Sequence, residues 1–274
     1  LLHHLTQPLS PTHLDLLLLV CYFLTGILDS SAILTLGAFV SMQTGNTVYF
    51  GSGVMVPLIT LMQTGGEGGN GDKWIRAGIS VGSFCLGSWG FARFHWFFAE
   101  KKNKKKNGKG EKEEIPKTRW LILCSIFFQI VLLGIAGVVI PSTTNIQGNH
   151  QQHQHHQQNL PLDLNFPVIL ALILISLQSS GQAYLSRIFG YNSLTSVVLT
   201  SIYLDLFSDP HLFSHHREGN GERYRRVAAV VCLLAGAMLG GCMVNFGLWG
   251  GLKGALWVAV GLKGGVGLGC WVWR

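Results

Sequence analysis

The chain has 274 residues, 48% hydrophobic and only 12% charged, against about 25% charged in soluble domains. That balance excludes an ordinary soluble globular protein and predicts an all-α, polytopic transmembrane helix bundle. The net charge of +7 does not indicate nucleic acid, because thirteen charged residues, nine of them Lys or Arg, crowd between Glu100 and Arg119. Such a basic loop beside apolar segments is the pattern of a positive-inside topology signal. A phospholipid-binding patch is the sharper alternative.

Residues 1–13 form an N-terminal tail. The apolar run after them lacks a basic n-region and is too long for a cleavable signal. The first residue is Leu rather than Met, which leaves the completeness of the N-terminus open. Eight apolar segments follow in chain order: Leu14–Phe39, Val48–Met62, Trp74–Phe98, Trp120–Ile140, Phe166–Phe189, Leu194–Phe207, Val227–Leu248 and Leu252–Trp273. Crossing the hydrocarbon core takes about 20 apolar residues in a helix. Six of the eight meet that length. The second and sixth are short and are expected either to span or to be re-entrant. The eighth, in a Gly-rich C-terminal stretch over residues 249–274, carries Lys253 and Lys263 and is the weakest of the long ones. The polar connections are a Gly-rich turn at Thr64–Asp72, the basic loop over residues 100–119, and a loop over residues 142–165. The last contains a low-complexity Gln/His tract, His150–Gln158, which is expected to be disordered.

Between the first two segments lies the most informative stretch, FVSMQTGNTVYFG at Phe39–Gly51. It sets Ser41, Gln43, Thr44, Asn46 and Thr47 around Gly45 in an otherwise apolar region. A polar break of this kind persists in lipid only where protein or a water-filled cavity surrounds it. Gln43, Thr44, Gly45 and Asn46 offer amides, a hydroxyl and freed backbone groups for a small solute or a cation. A tight turn with an Asn or Thr helix cap is the plainer reading.

Asp29, three residues after Gly26, is the sharpest single residue. An ionisable group at that depth faces a partner or a polar cavity, as an ion or proton site or as a local cap near a kink. Arg187 is the strong cation of the fifth segment. It pairs with Asp29 or Asp205 in one reading and snorkels at its helix end in the other. Gln178, Gln182 and Tyr184 precede it at helical spacing, suited to a polar path or to interhelical hydrogen bonds.

GNGDKWIR at Gly69–Arg76 returns as GNGERYRR at Gly219–Arg226, with four identical positions and three conservative ones. Small residues follow both at four-residue spacing, Ser83 and Gly87, then Gly236 and Gly240. The break has a fainter counterpart around Thr195–Ser201. This is a candidate two-half repeat, of the kind that places transporter sites between halves. If both short segments span, the halves are parallel and the two basic loops lie on opposite sides. If both are re-entrant, the halves are inverted and the loops share one side, which the positive-inside rule prefers.

Several other patterns carry no chemistry. GGEGGNGDK lacks the Gly-Lys-Ser/Thr ending of a phosphate loop, and GLKGGVG near Gly261 follows no strand. His211, His215 and His216 have metal-like spacing without Cys or acidic companions. The six cysteines form no C-x-x-C pair and read as buried free thiols. No nucleophile–base set is present, so no enzyme activity, metal or cofactor is expected.

Gly26-Ile27-Leu28-Asp29 followed by the F-x-S-x-x-T-G-N-T-V run resembles the YoaK-like membrane proteins, catalogued as the domain-of-unknown-function family DUF1275. VGSFCLGSWG, SSGQAYLSR at Ser179–Arg187 and GAMLGG at Gly236–Gly241 are similar too, so that the likeness covers most of residues 14–248. The resemblance implies a multi-pass membrane protein of bacteria and fungi and no established activity. The Lys-rich loop and the Gln/His tract depart from the compact family form and suggest a fungal source. The functional expectation is a small-solute or ion transporter or permease, with Asp29, the Gln43–Asn46 run and Arg187 near its site. The alternative is a non-transporting membrane scaffold or accessory subunit whose small-residue faces dock a partner helix. The lipid bilayer is the expected partner, the plasma membrane the expected residence, and the oligomeric state is open.

Overall fold

The computed structural model describes residues 14–62, 73–103, 118–141, 165–190, 199–208 and 221–272. The N-terminal tail, the Thr64–Asp72 turn, most of the Lys-rich loop, the Gln/His tract, residues 195–198 and the histidines at 211, 215 and 216 lie outside these residues.

Eight α-helices are present among the described residues: α1 (Leu14–Leu36), α2 (Gln43–Met62), α3 (Lys73–Asn103), α4 (Arg119–Val139), α5 (Phe166–Ile188), α6 (Leu199–Phe207), α7 (Gly221–Asn245) and α8 (Leu252–Val272). Five of them, α1, α4, α5, α7 and α8, are long and apolar enough to cross a membrane. The third expected span, α3, is the longest at 31 residues, about 46 Å at 1.5 Å per residue. Its Ser, Gly, Arg and His content makes it more polar than the other five, and packing on α5 holds it in the bundle.

The bundle exposes apolar faces outside an apolar core that also encloses polar groups. On α7, Val227, Val231, Leu234 and Met238 form an exposed stripe, as do Phe127, Val131, Ile135 and Val138 on α4. Meanwhile Asp29, Asn46, Ser80, Gln129, Ser176, Gln178 and Lys263 are buried. Apolar faces of that extent suit lipid rather than water. Cys85 and Cys124 share this outer surface, contrary to the expectation of burial, while Cys270 is enclosed and all six thiols are free.

Helix directions follow from the contacts. The Arg225 Nε–Asp15 Oδ2 pair at 2.6 Å joins the starts of α7 and α1. Further along, Gly236 and Gly240 lie against the backbone of Phe23 and Ile27, so the two helices run parallel. A Cβ at Gly26 would strike the Leu233 carbonyl, which is why this close crossing needs glycine on both sides. Helices α3 and α5 are parallel in the same way, from Ser80 beside Ser176 through Phe91 over Gly181 to His95 against Tyr184. Arg76 donates to the Leu36 carbonyl at 3.0 Å, which sets α3 antiparallel to α1. One core cluster joins the ends of α1 and α4 to the starts of α5 and α8. A second gathers the starts of α1, α4 and α7 with the ends of α5 and α8.

Thus α1, α4 and α7 run one way and α3, α5 and α8 the other. Pairing α1–α4 with α5–α8 gives two halves of opposite direction, and their packing is preserved when the halves are exchanged: α1 on α7 becomes α5 on α3, and α4 on α5 becomes α8 on α1. The re-entrant alternative therefore describes this fold. The small-residue positions singled out in the sequence serve this internal exchange, with Gly236 and Gly240 facing α1 and Gly87 facing α5.

Candidate functional site

Helix α1 ends at Gly37, whose φ of 71° a side chain would make strained. The chain then folds back along α1 instead of leaving the bundle. Asp29 causes this. Its carboxylate, 2% exposed, accepts the amides of Val40 at 2.8 Å and Ser41 at 2.9 Å and the Ser41 hydroxyl. A buried carboxylate with three donors around it is well satisfied without a cationic partner.

The polar run is not the turn that its composition suggests. The bend occupies residues 37–42, and Gln43, Thr44, Gly45 and Asn46 form the first turn of α2. Asn46 is fully buried and closes the structure. Its Oδ1 accepts the Phe39 amide at 3.0 Å, while its Nδ2 donates to the Phe39 carbonyl, Gln43 Oε1 and Ser80 Oγ. Gln43 Nε2 donates to the Val40 carbonyl at 3.0 Å. Gly45 faces the Phe39 ring, where a Cβ would sit at 3.0 Å. Thr44 points outward, so it does not join this network.

Two serines that nothing in the sequence singles out complete the site. Ser80 Oγ lies 2.7 Å from the Phe39 carbonyl and 2.9 Å from Ser176 Oγ, in the middle of α5. Through them the break of the first half touches the opening helix of the second half at mid-bundle depth. From there α2 runs antiparallel to α3, past Gly78 and Trp74, back toward the end where α3 enters. Its outer side, including Val48, Tyr49 and Met55, is exposed.

Beside the break, Thr25, Leu28, Val40, Ser41, Gln178, Ser179 and Gln182 line a crevice between α1 and α5 that is too narrow here to hold water. Gln182 Nε2 bridges it, donating to the Cys21 carbonyl and Thr25 Oγ1 at 2.9 Å each. Gln178 is 1% exposed, and its Oε1 has no hydrogen-bond partner. Leu28-Asp29-Ser30-Ser31 on α1 and Leu177-Gln178-Ser179-Ser180 on α5 differ only at Asp/Gln. Asp29 and Gln178 thus hold matching places in the two halves, a signal that the octet repeat overshadows.

Arg187 does not reach Asp29. It is exposed in the last turn of α5, and Asp205 lies instead 3.8 Å from Arg226. The snorkelling reading fits its position. The sequence also conceals a second buried polar pair. Lys263 on α8, 3% exposed, donates to Gln129 Oε1 on α4. In the sequence Lys263 counts only as a blemish in a weak span, because no periodicity reveals which side of a Gly-rich helix faces inward.

Inverted halves, lipid-facing apolar stripes and a buried polar break define a polytopic helical membrane protein. Residues 17–269 match the model of the family described as "Protein of unknown function (DUF1275)", and the chain belongs to that family. No curated protein and no solved structure matches it.

Proposed function

We propose that the protein is a transporter or permease for a small solute or ion, with its site where the break meets the α1–α5 crevice. The observation that carries this reading is the break itself. It ends at mid-bundle depth on Ser176 of the opposite half, within two halves of inverted direction. Secondary transporters of inverted-repeat design bind substrate at such a junction, between discontinuous helices. The closed crevice corresponds to an occluded conformation, and parting α1 from α5 opens it. The positive-inside rule sets the end that carries the α3–α4 and α6–α7 connections toward the cytoplasm.

The scaffold reading uses small-residue helix faces to dock a partner. Gly26, Gly236 and Gly240, the tightest small-residue contacts, are consumed within the bundle, while Gly82, Gly241 and Gly261 remain open to a partner. The test is solute and ion flux into proteoliposomes holding the purified chain. Flux that Gln178→Leu abolishes, with the thermal unfolding profile unchanged, supports the proposal. A wild-type protein that is folded and inert across a panel of ions and small neutral solutes counts against it.

A further inference from the structure

The crevice has a chemical character that narrows what it takes. The residues that line it are rich in oxygen: the Gln178 and Gln182 amides, the Thr25, Ser41 and Ser179 hydroxyls, and the backbone of Val40 in the bend after α1, whose carbonyl also accepts from Gln43. Gln178 Oε1 is buried with no hydrogen bond made to it, an unusual state for an amide oxygen in a helix interior. Directly behind Ser41 stands the Asp29 carboxylate. Among the described residues no Lys or Arg pairs with Asp29, and its three donors are neutral. Neutral oxygens with a carboxyl group behind them and no basic side chain beside it favour a cation over an anion or an apolar solute. Hydroxyl, amide and freed carbonyl oxygens with a single carboxylate suit a weakly held monovalent ion. A divalent ion would call for more carboxylates, and a soft metal for thiol or imidazole groups.

We infer that the α1–α5 crevice is a binding site for a sodium-sized alkali cation, held by Gln178 Oε1, Ser41 Oγ, Thr25 Oγ1 and the Val40 carbonyl, with Asp29 behind Ser41 balancing the charge of the ion when it is bound. The inference rests on the transporter reading for its location and names the ion that reading would use. Broken helices that present carbonyls to a coupling cation are the general device. The ion enters when the Gln182 bridge to Thr25 and Cys21 lets α1 and α5 part, and its binding draws Gln178 of one half toward Asp29 of the other.

The test is equilibrium binding of radiolabelled sodium to the purified full-length protein in detergent, with potassium, choline and protons as competitors. The expected result is saturable binding, insensitive to choline. Gln178→Leu and Ser41→Ala should each weaken it by about tenfold or more, with Gln178→Glu restoring it. Gln178→Leu removes an amide whose oxygen bonds to nothing in the protein, and thermal unfolding checks that the fold is kept. Sodium binding that both variants leave unchanged overturns the inference, as does absence of saturable binding, or displacement by protons without any alkali-ion uptake. Sodium binding without flux upholds this site and overturns the transport reading. Flux indifferent to sodium does the reverse.

Discussion

Replacing Asn46 by Asp tests the break at one atom. The two side chains are isosteric, so packing is unchanged. Asn46 Oδ1 keeps its bond from the Phe39 amide. The second terminal atom changes from a donor to an acceptor, and it faces the Phe39 carbonyl at 2.7 Å, Gln43 Oε1 at 2.9 Å and Ser80 Oγ at 3.0 Å. Two of these three are acceptors only. Each net hydrogen bond contributes about 1 kcal/mol and each orphaned buried group costs about 1–3 kcal/mol. Two lost donations plus a new buried carboxylate against carbonyl oxygens therefore destabilise by roughly 4 kcal/mol or more. Asn46→Ala also orphans the Phe39 amide, but it leaves the Phe39 carbonyl its bond from Ser80. It loses roughly 2–3 kcal/mol by the same count. Unfolding in mixed detergent micelles should rank wild type above Asn46→Ala above Asn46→Asp. Equal stability of Asn46→Asp and wild type would refute the arrangement, because it would mean that the amide faces solvent or lipid.

Other consequences are as specific. Gly26→Ala and Gly236→Ala should each destabilise by about 1–3 kcal/mol through overpacking, since the added Cβ meets backbone of the partner helix. Gly82→Ala and Gly241→Ala, with open space at the Cβ, should be neutral or slightly stabilising from helix propensity. Gln129→Leu should cost several kcal/mol, because it strands the Lys263 ammonium in the interior. Gln129→Leu with Lys263→Met should recover most of that loss in the same unfolding assay. Cysteines substituted at Phe97, near the end of α3, and at Gly221, both exposed, in a cysteine-free background, should react with an impermeant reagent from the same side of the membrane. Reaction from opposite sides would mean that the halves are parallel.

The long helices are legible in the sequence because hydrophobic length alone specifies a span. Leu14–Phe39, Trp120–Ile140 and Phe166–Phe189 reappear within three residues as α1, α4 and α5. Start signals inside polar stretches are less legible. Helix α7 begins at Gly221, six residues before its apolar run, because Arg225 and Arg226 find Asp15 and Asp205. The break is legible in its place along the chain but not in its local conformation. Gly45 and Asn46 carry turn propensity, and the tertiary bonds of Asn46 to Phe39 and Ser80 hold them in the helix. Ser80 and Ser176 are illegible for a related reason. A serine in a membrane helix is unremarkable until packing brings together two that lie 96 residues apart. Arg187 misleads because charge identity says nothing about which end of a helix, or which face, it occupies.

A break that lines a path between two inverted halves must meet water from each side in turn. Cysteine scanning of Val40–Phe50 in a cysteine-free background, with a small impermeant thiol reagent applied from each side separately, decides whether it does. Val40 and Ser41, buried in this conformation, should react from both sides as the crevice opens alternately, while Leu24 and Ile27 on α1 stay unreactive. Protection of Val40 and Ser41 from both sides, under conditions where Thr44 and Tyr49 report a folded protein, would rule the path out and leave the break as a fixed turn.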